Sequence, residues 1–157
     1  MRQGSVVFGS FALLSFLKDE PDSKQVMEYL LRVQNKEVNG YISAVNLCEV
    51  YYIIMREKGQ ESAEILATSM REWGLSIVPA DEDVAKRAGQ FKARYPLSLA
   101  GAFAAATSQK FEAYLLTGDP EFQKLKGLVK LSTKATKEYS ARELEQIYGI
   151  TMPVRSE

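Results

Sequence analysis

The chain has 157 residues, long enough for one compact core and short for two. A hydrophobic share of 46% and a charged share of 25% suit a soluble globular domain, and 20 basic against 20 acidic residues leave no bulk charge to attract a nucleic acid. With no histidine and a single cysteine, the composition excludes an intrachain disulfide, Ser-His and Cys-His nucleophiles and imidazole metal ligands, so any chemistry falls to carboxylates and a hard metal ion.

Ser5-Val6-Val7-Phe8 predicts a short buried strand, and Gly9 follows it to open a helix over about 11–17. Asp19-Glu20-Pro21-Asp22 breaks that helix. Asp22 or Ser23 then caps another near 24–34, with Val26, Tyr29, Leu30 and Val33 on one face. Asn39-Gly40 reads as a turn before the strand Tyr41-Ile42-Ser43. A helix over about 45–58 ends at Gly59, and another over about 61–73 stops at Gly74. Cys48, between Leu47 and Glu49 and close to Val50, reads as a small packed hydrophobe.

Residues 75–78 predict a third strand, closed by Pro79. Asp81 caps a helix that carries Val84, Ala88 and Phe91 on one side and ends at Tyr95-Pro96. Ser98 can cap the alanine-rich helix that runs to about Lys110. Residues 113–117 predict a fourth strand, and Asp119-Pro120 has the form of an N-cap followed by proline at the first helical position. Residues 128–131 predict an edge strand. Beyond it, Ser140-Ala141-Arg142-Glu143 has capping-box spacing for a short helix to about Tyr148.

Strands and helices alternate throughout, which implies a mostly parallel sheet covered by helices on both faces. Ligands of such sheets bind at the carboxyl ends of the strands. Gly9 follows the first strand, Glu49 lies six residues after Ser43, and Asp119 follows the fourth strand, so all three belong to one edge. Residue 101 reaches the same edge from near the start of its own helix. Taken singly, Glu49 fits a solvated helix position and Asp119 an N-cap; Ser10 and Thr117 are turn hydroxyls. Gly9 fits a tight turn. Gly101, inside a helix, costs about 1 kcal/mol relative to alanine. Lys86, Arg87, Lys92 and Arg94 on one helix, with Lys124, Lys126 and Lys130, read as solvated faces that would steer an RNA backbone if they bordered the cleft. Tyr51, Tyr52 and Phe103 read as core or interface residues.

Four ordered segments carry a family resemblance: Ser5 to Gly9, ISAVNLCEVYYI from Ile42, LSLAGAFAAA from Leu97, and LLTGDPEF from Leu115. Together they resemble the PIN-domain family, the fold of the VapC-type toxin ribonucleases, over about residues 6–131. The resemblance implies an α/β fold of three α/β/α layers with a central, mostly parallel sheet of four to five strands. The domain expected is PIN-like over 1–132; the tail at 133–157 lies outside the resemblance and is expected, from its capping-box spacing, to be a C-terminal helical extension. It also implies an acidic site in which Glu49 and Asp119 are catalytic and metal-binding residues, while Gly9 and Gly101 stand where aspartates are expected. Ser10 and Thr117 would hold water beside the ion.

The cofactor implied is Mg²⁺ or Mn²⁺, weakly held or lost in this chain, and the substrate class is RNA. An antitoxin protein and a homodimer are the implied partners. Loss of both aspartates points to one cause, decay of a site or its deliberate silencing. The expectation is therefore a toxin-like ribonuclease that is inactive or strongly impaired. Its rivals are a non-catalytic module that binds RNA or antitoxin, and a PIN protein of RNA maturation. No apolar run approaches the roughly 18 residues a bilayer requires, and residues 1–5 lack a signal-peptide core, so a cytoplasmic location is expected.

Overall fold

The computed structural model describes residues 4–18, 23–117, 121–122 and 131–133. In chain order the elements are β1 (Ser5–Phe8), α1 (Ser10–Leu17), α2 (Ser23–Gln34), β2 (Asn39–Ser43), α3 (Ala44–Lys58), α4 (Gln60–Glu72), β3 (Ser76–Val78), α5 (Glu82–Arg94), α6 (Leu99–Phe111), β4 (Tyr114–Thr117) and β5 (Leu131–Thr133). The five strands form one sheet in the order β3-β2-β1-β4-β5, with every pairing parallel.

Alternation of side chains along the strands divides the interior into two cores. Val6 and Phe8 of β1, Ile42 of β2 and Leu116 of β4 face α1 to α4, where they meet Leu13, Tyr29, Val50 and Met70. Val7 and Leu115 point the other way, toward Val84, Ala88 and Phe91 of α5 and the alanines of α6. The result is the expected three-layer α/β/α arrangement. Phe8, Leu13 and Leu116 are fully buried, each stabilising the fold by about 1.5–3 kcal/mol relative to an exposed side chain.

The helix boundaries follow their caps. Asp81 accepts a hydrogen bond from the Val84 amide at 2.9 Å, and the buried residues of α5 are Val84, Ala88 and Phe91 as the periodicity predicts. Tyr95, before Pro96, leaves the helix with φ −134° and ψ 149°. In α6 every residue from Ala100 to Ser108 is buried. A helix covered on all sides needs small residues to approach its neighbours closely, which accounts for the alanine run.

Three expectations are corrected. Asn39 and Gly40 belong to β2 rather than to a turn, with Gly40 paired to Val6 of β1. A Cβ on Gly40 would lie 2.6 Å from Val33 Cγ2 and 2.8 Å from Leu75 Cδ2, so glycine serves a close approach of the strand to its surroundings. Cys48 is exposed, not packed. The buried residues of α3 are Asn46, Val50 and Ile54, and a residue midway between two of them lies on the opposite face. The edge strand β5 is Leu131–Thr133, later than predicted, while 128–130 lie outside the described residues. Also outside them are the Asp22 and Asp119-Pro120 caps and the extension from residue 134. Among the described residues no helix is long and apolar enough to cross a membrane.

Candidate functional site

Strand order reverses at β1, which has β2 on one side and β4 on the other. The carboxyl ends of β1 and β4 lie side by side at this switch point, the usual binding place of an open parallel sheet. A cleft lies there, with an empty volume of about 260 Å³ including its open mouth. Gly9, Ser10, Glu49, Gly101 and Thr117 all line it, so four separated segments meet as their spacing predicts. Asp119 lies outside the described residues.

Gly9 extends the β1–β4 pairing by one step: its amide donates to the Leu116 carbonyl at 3.2 Å. It then caps α1 with φ −74° and ψ 162°, and no side chain assists. These angles are open to any residue, so the tight-turn explanation for Gly9 is corrected. A Cβ there would make ordinary contacts, 3.4 Å to the Leu116 carbonyl oxygen and 3.7 Å to Thr117 Cβ. An aspartate would fit and would offer the side-chain cap that α1 lacks. Ser10 and Thr117 are buried beside it.

Glu49 projects from the second turn of α3, half-buried at the cleft, and its carboxylate takes no hydrogen bond from a described residue. Its helix is fixed by Asn46, which is 1% exposed. The Asn46 amide donates to Ser43 Oγ at 3.0 Å, which caps α3, and Ser43 Oγ also donates to Asn46 Oδ1. Asn46 Nδ2 donates to Ser10 Oγ at 2.9 Å and to the Ala100 carbonyl at 3.2 Å. One buried amide thus joins α3, α1 and α6 at the floor of the cleft, where its donors and acceptor are all used.

Gly101 sits in the first turn of α6, where its amide donates to Ser98 Oγ at 3.0 Å. Over it lies the carboxylate of Glu121, which accepts from the Ser98 amide and from Ser98 Oγ, both at 3.2 Å. Asn46, Ser98 as an anchor and Glu121 are residues that sequence reasoning missed. A polar residue three after a helix-capping serine was the available signal for Asn46. Glu121 gave none, because its role depends on the β4–α6 packing.

By the described residues alone the cleft does not fit a resident divalent ion. Among them no three ligating side chains come together, and Glu121 is engaged by Ser98. The bases on α5 do not border the cleft. Lys86 pairs with Glu82 at 3.7 Å, Arg87 with Asp83 at 3.1 Å, and Lys92 Nζ donates to the Leu97 carbonyl at 2.9 Å. The Arg87 hydrogen bond is the main reason the Asp83 carboxyl titrates below its usual value. Lys86 and Arg87 belong to a solvated face, as expected, whereas Lys92 braces the loop before α6. Lys124, Lys126 and Lys130 lie outside the described residues.

A family model described as the PIN domain matches residues 10–128. Among solved structures, a toxin–antitoxin complex from Klebsiella pneumoniae is similar with a TM-score of 0.62 and 22% identity, over 82% of this chain and 96% of that one. VapBC2 from Rickettsia felis, bound to a DNA fragment from its promoter, gives a TM-score of 0.64 and 17% identity over 83% and 98%. DNA-bound VapBC from Salmonella typhimurium gives 0.64 and 14% over 85% and 98%. No curated protein matches the chain.

Proposed function

The chain belongs to the PIN-domain family, and from that premise we propose that it is the toxin-like member of a toxin–antitoxin pair whose ribonuclease centre is inactive or strongly impaired. PIN domains are in general divalent-metal-dependent nucleases. The observation that carries the impairment is the pair of glycines: Gly9 and Gly101 both line the cleft at the β1–β4 switch point, and neither offers a ligand.

Glu49 and Asp119 are the surviving acids in this reading, with Ser10 and Thr117 assigned to hold water. Mg²⁺ or Mn²⁺, if held by Glu49 and Asp119, would supply an activated water and neutralise charge on a phosphodiester. Two carboxylates with water and substrate phosphate can hold such an ion, but weakly. A fuller acid set would bind it better because its own repulsion, about 3 kcal/mol per pair at 5 Å and an effective dielectric near 20, is relieved by the cation. With two acids removed, less repulsion remains to be relieved and fewer oxygens remain to bind.

The partners proposed are an antitoxin segment, supported by the likeness to toxin–antitoxin complexes, a second copy of this chain, and RNA as the substrate class. The location is cytoplasmic. The second reading is a binding module that keeps the fold without cleavage, favoured by the commitment of Glu121 to Ser98.

The test is the G9D/G101D chain incubated with RNA and Mn²⁺. Cleavage by this chain, absent from the unmodified protein and lost again in E49Q, is the expected result. A folded double variant that cuts nothing favours the binding module, and cleavage by the unmodified chain overturns the impairment.

A further inference from the structure

The two glycines leave different spaces. Beside Gly9 there is room for a side chain at ordinary contact distance. Above Gly101 there is none: a Cβ there would overlap Glu121 Oε1, lie 3.2 Å from Glu121 Cδ and 3.0 Å from Ser98 Oγ. The Glu121 carboxylate is held in that position by both polar groups of Ser98, each donating at 3.2 Å, one to either oxygen. Ser98 Oγ in turn accepts the Gly101 amide at 3.0 Å, so Glu121, Ser98 and Gly101 form one chain of hydrogen bonds around the first turn of α6.

We infer that Glu121 takes the place of the side chain missing at residue 101. It supplies negative charge at the start of α6, where unpaired amides and the helix dipole favour an anion. Its two hydrogen bonds fix the turn from which Gly101 and Ala104 face the cleft. Glu121 is a positioning residue: it acts through Ser98 on α6 and thereby on the cleft wall. Glycine at 101 has a purpose in this chain, because any larger residue there competes with the carboxylate for one volume. A side chain at 101 and Glu121 Oε1 in its observed position exclude each other. This inference does not depend on the ribonuclease reading.

Urea denaturation of four chains tests it: the unmodified protein, G101A, E121A and G101A/E121A. In a helix, exchanging glycine for alanine should lower the unfolding constant by about fivefold. The expected result is that G101A gives no such gain in the unmodified background and gives it in full in the E121A background. Equal gains in both backgrounds overturn the inference. E121D, which keeps the charge but is one methylene shorter, replaces E121A if that chain does not fold. A second readout separates the clasp from a general loss of packing: in proton–nitrogen NMR spectra the Ser98 amide should shift in E121A while the Val84 amide, capped by Asp81 and outside this network, stays in place. An unmoved Ser98 resonance overturns the inference as well.

Discussion

Asn46 Nδ2 donates to Ser10 Oγ at 2.9 Å, and so ties the first turn of α3 to the first residue of α1. The same nitrogen reaches the Ala100 carbonyl at 3.2 Å, which brings α6 into the junction. Three segments far apart in the chain are therefore registered against one another by a single side chain. Glu49 stands one turn further along α3.

Replacing this amide leaves buried groups of Ser10, Ser43 and Ala100 without their partner. N46A is expected to lose about 2–3 kcal/mol of stability in urea denaturation, and S10A about 1 kcal/mol. A loss below 0.5 kcal/mol (about a tenth of a marginal protein's stability) in N46A would show that the junction is not held by the amide.

An aspartate at position 9 meets neither a forbidden backbone nor a clash. G9D alone should keep the melting temperature within about 2 °C of the unmodified chain, with a new side-chain cap on α1 offsetting the added charge. A drop well beyond that would mean that the cleft no longer admits the residue.

Calorimetric titration of Mn²⁺ into the metal-free protein should reveal no site tighter than about 1 mM. Any residual heat should disappear in E49Q. Micromolar binding abolished by E49Q or D119N would restore the case for an intact centre.

Much of the fold could be read in advance because local rules and tertiary packing agree in it. In α5, Asp81, Val84, Ala88 and Phe91 give the cap and the buried face directly from their spacing. The five residues brought to the cleft were also legible, since strand ends in a parallel sheet share an edge. What escaped were features set by distant neighbours. Gly40 looked like half of a turn, because nothing nearby in sequence announces that Val33 and Leu75 crowd it. The apolar neighbours of Cys48 suggest an inside position, although its angle around α3 turns it outward. Glu121 could not be connected to Ser98 without the packing of β4 beside α6.

The crowding at Gly40 has a measurable cost. G40A should destabilise the fold by about 1–3 kcal/mol through overpacking. V33A introduced into the same chain should recover part of that loss, because it removes the methyl groups that collide. Additive destabilisation by the two changes would sink the explanation.

Tyr51, on the same helix as Glu49, donates its hydroxyl proton to Glu64 Oε1 at 2.6 Å. That hydrogen bond, then burial, then the repulsion of a phenolate by the carboxylate raise the Tyr51 pKa above 10.0. The folded state thus holds this proton more tightly than the unfolded chain does. The stability it contributes is complete below the unfolded value and is lost as pH rises through the folded one. Ultraviolet titration should show a late-ionising tyrosine that E64A brings back toward the ordinary range.

The order β3-β2-β1-β4-β5 also has a consequence for the nascent chain. β1 emerges first from the ribosome and finds its neighbour β2 soon afterwards, as Val6 pairs with Gly40. Its other edge waits for β4, because Val6 pairs next with Tyr114. Until then the central strand of the finished sheet is an edge strand with unsatisfied amides and carbonyls, the state most open to pairing with another chain. Gly9, Ser10 and Glu49 are already synthesised, yet no pocket surrounds them. The cleft is complete only once β4 has joined the sheet, and a chain truncated before β4 carries eight of its eleven described lining residues without the strand that closes it.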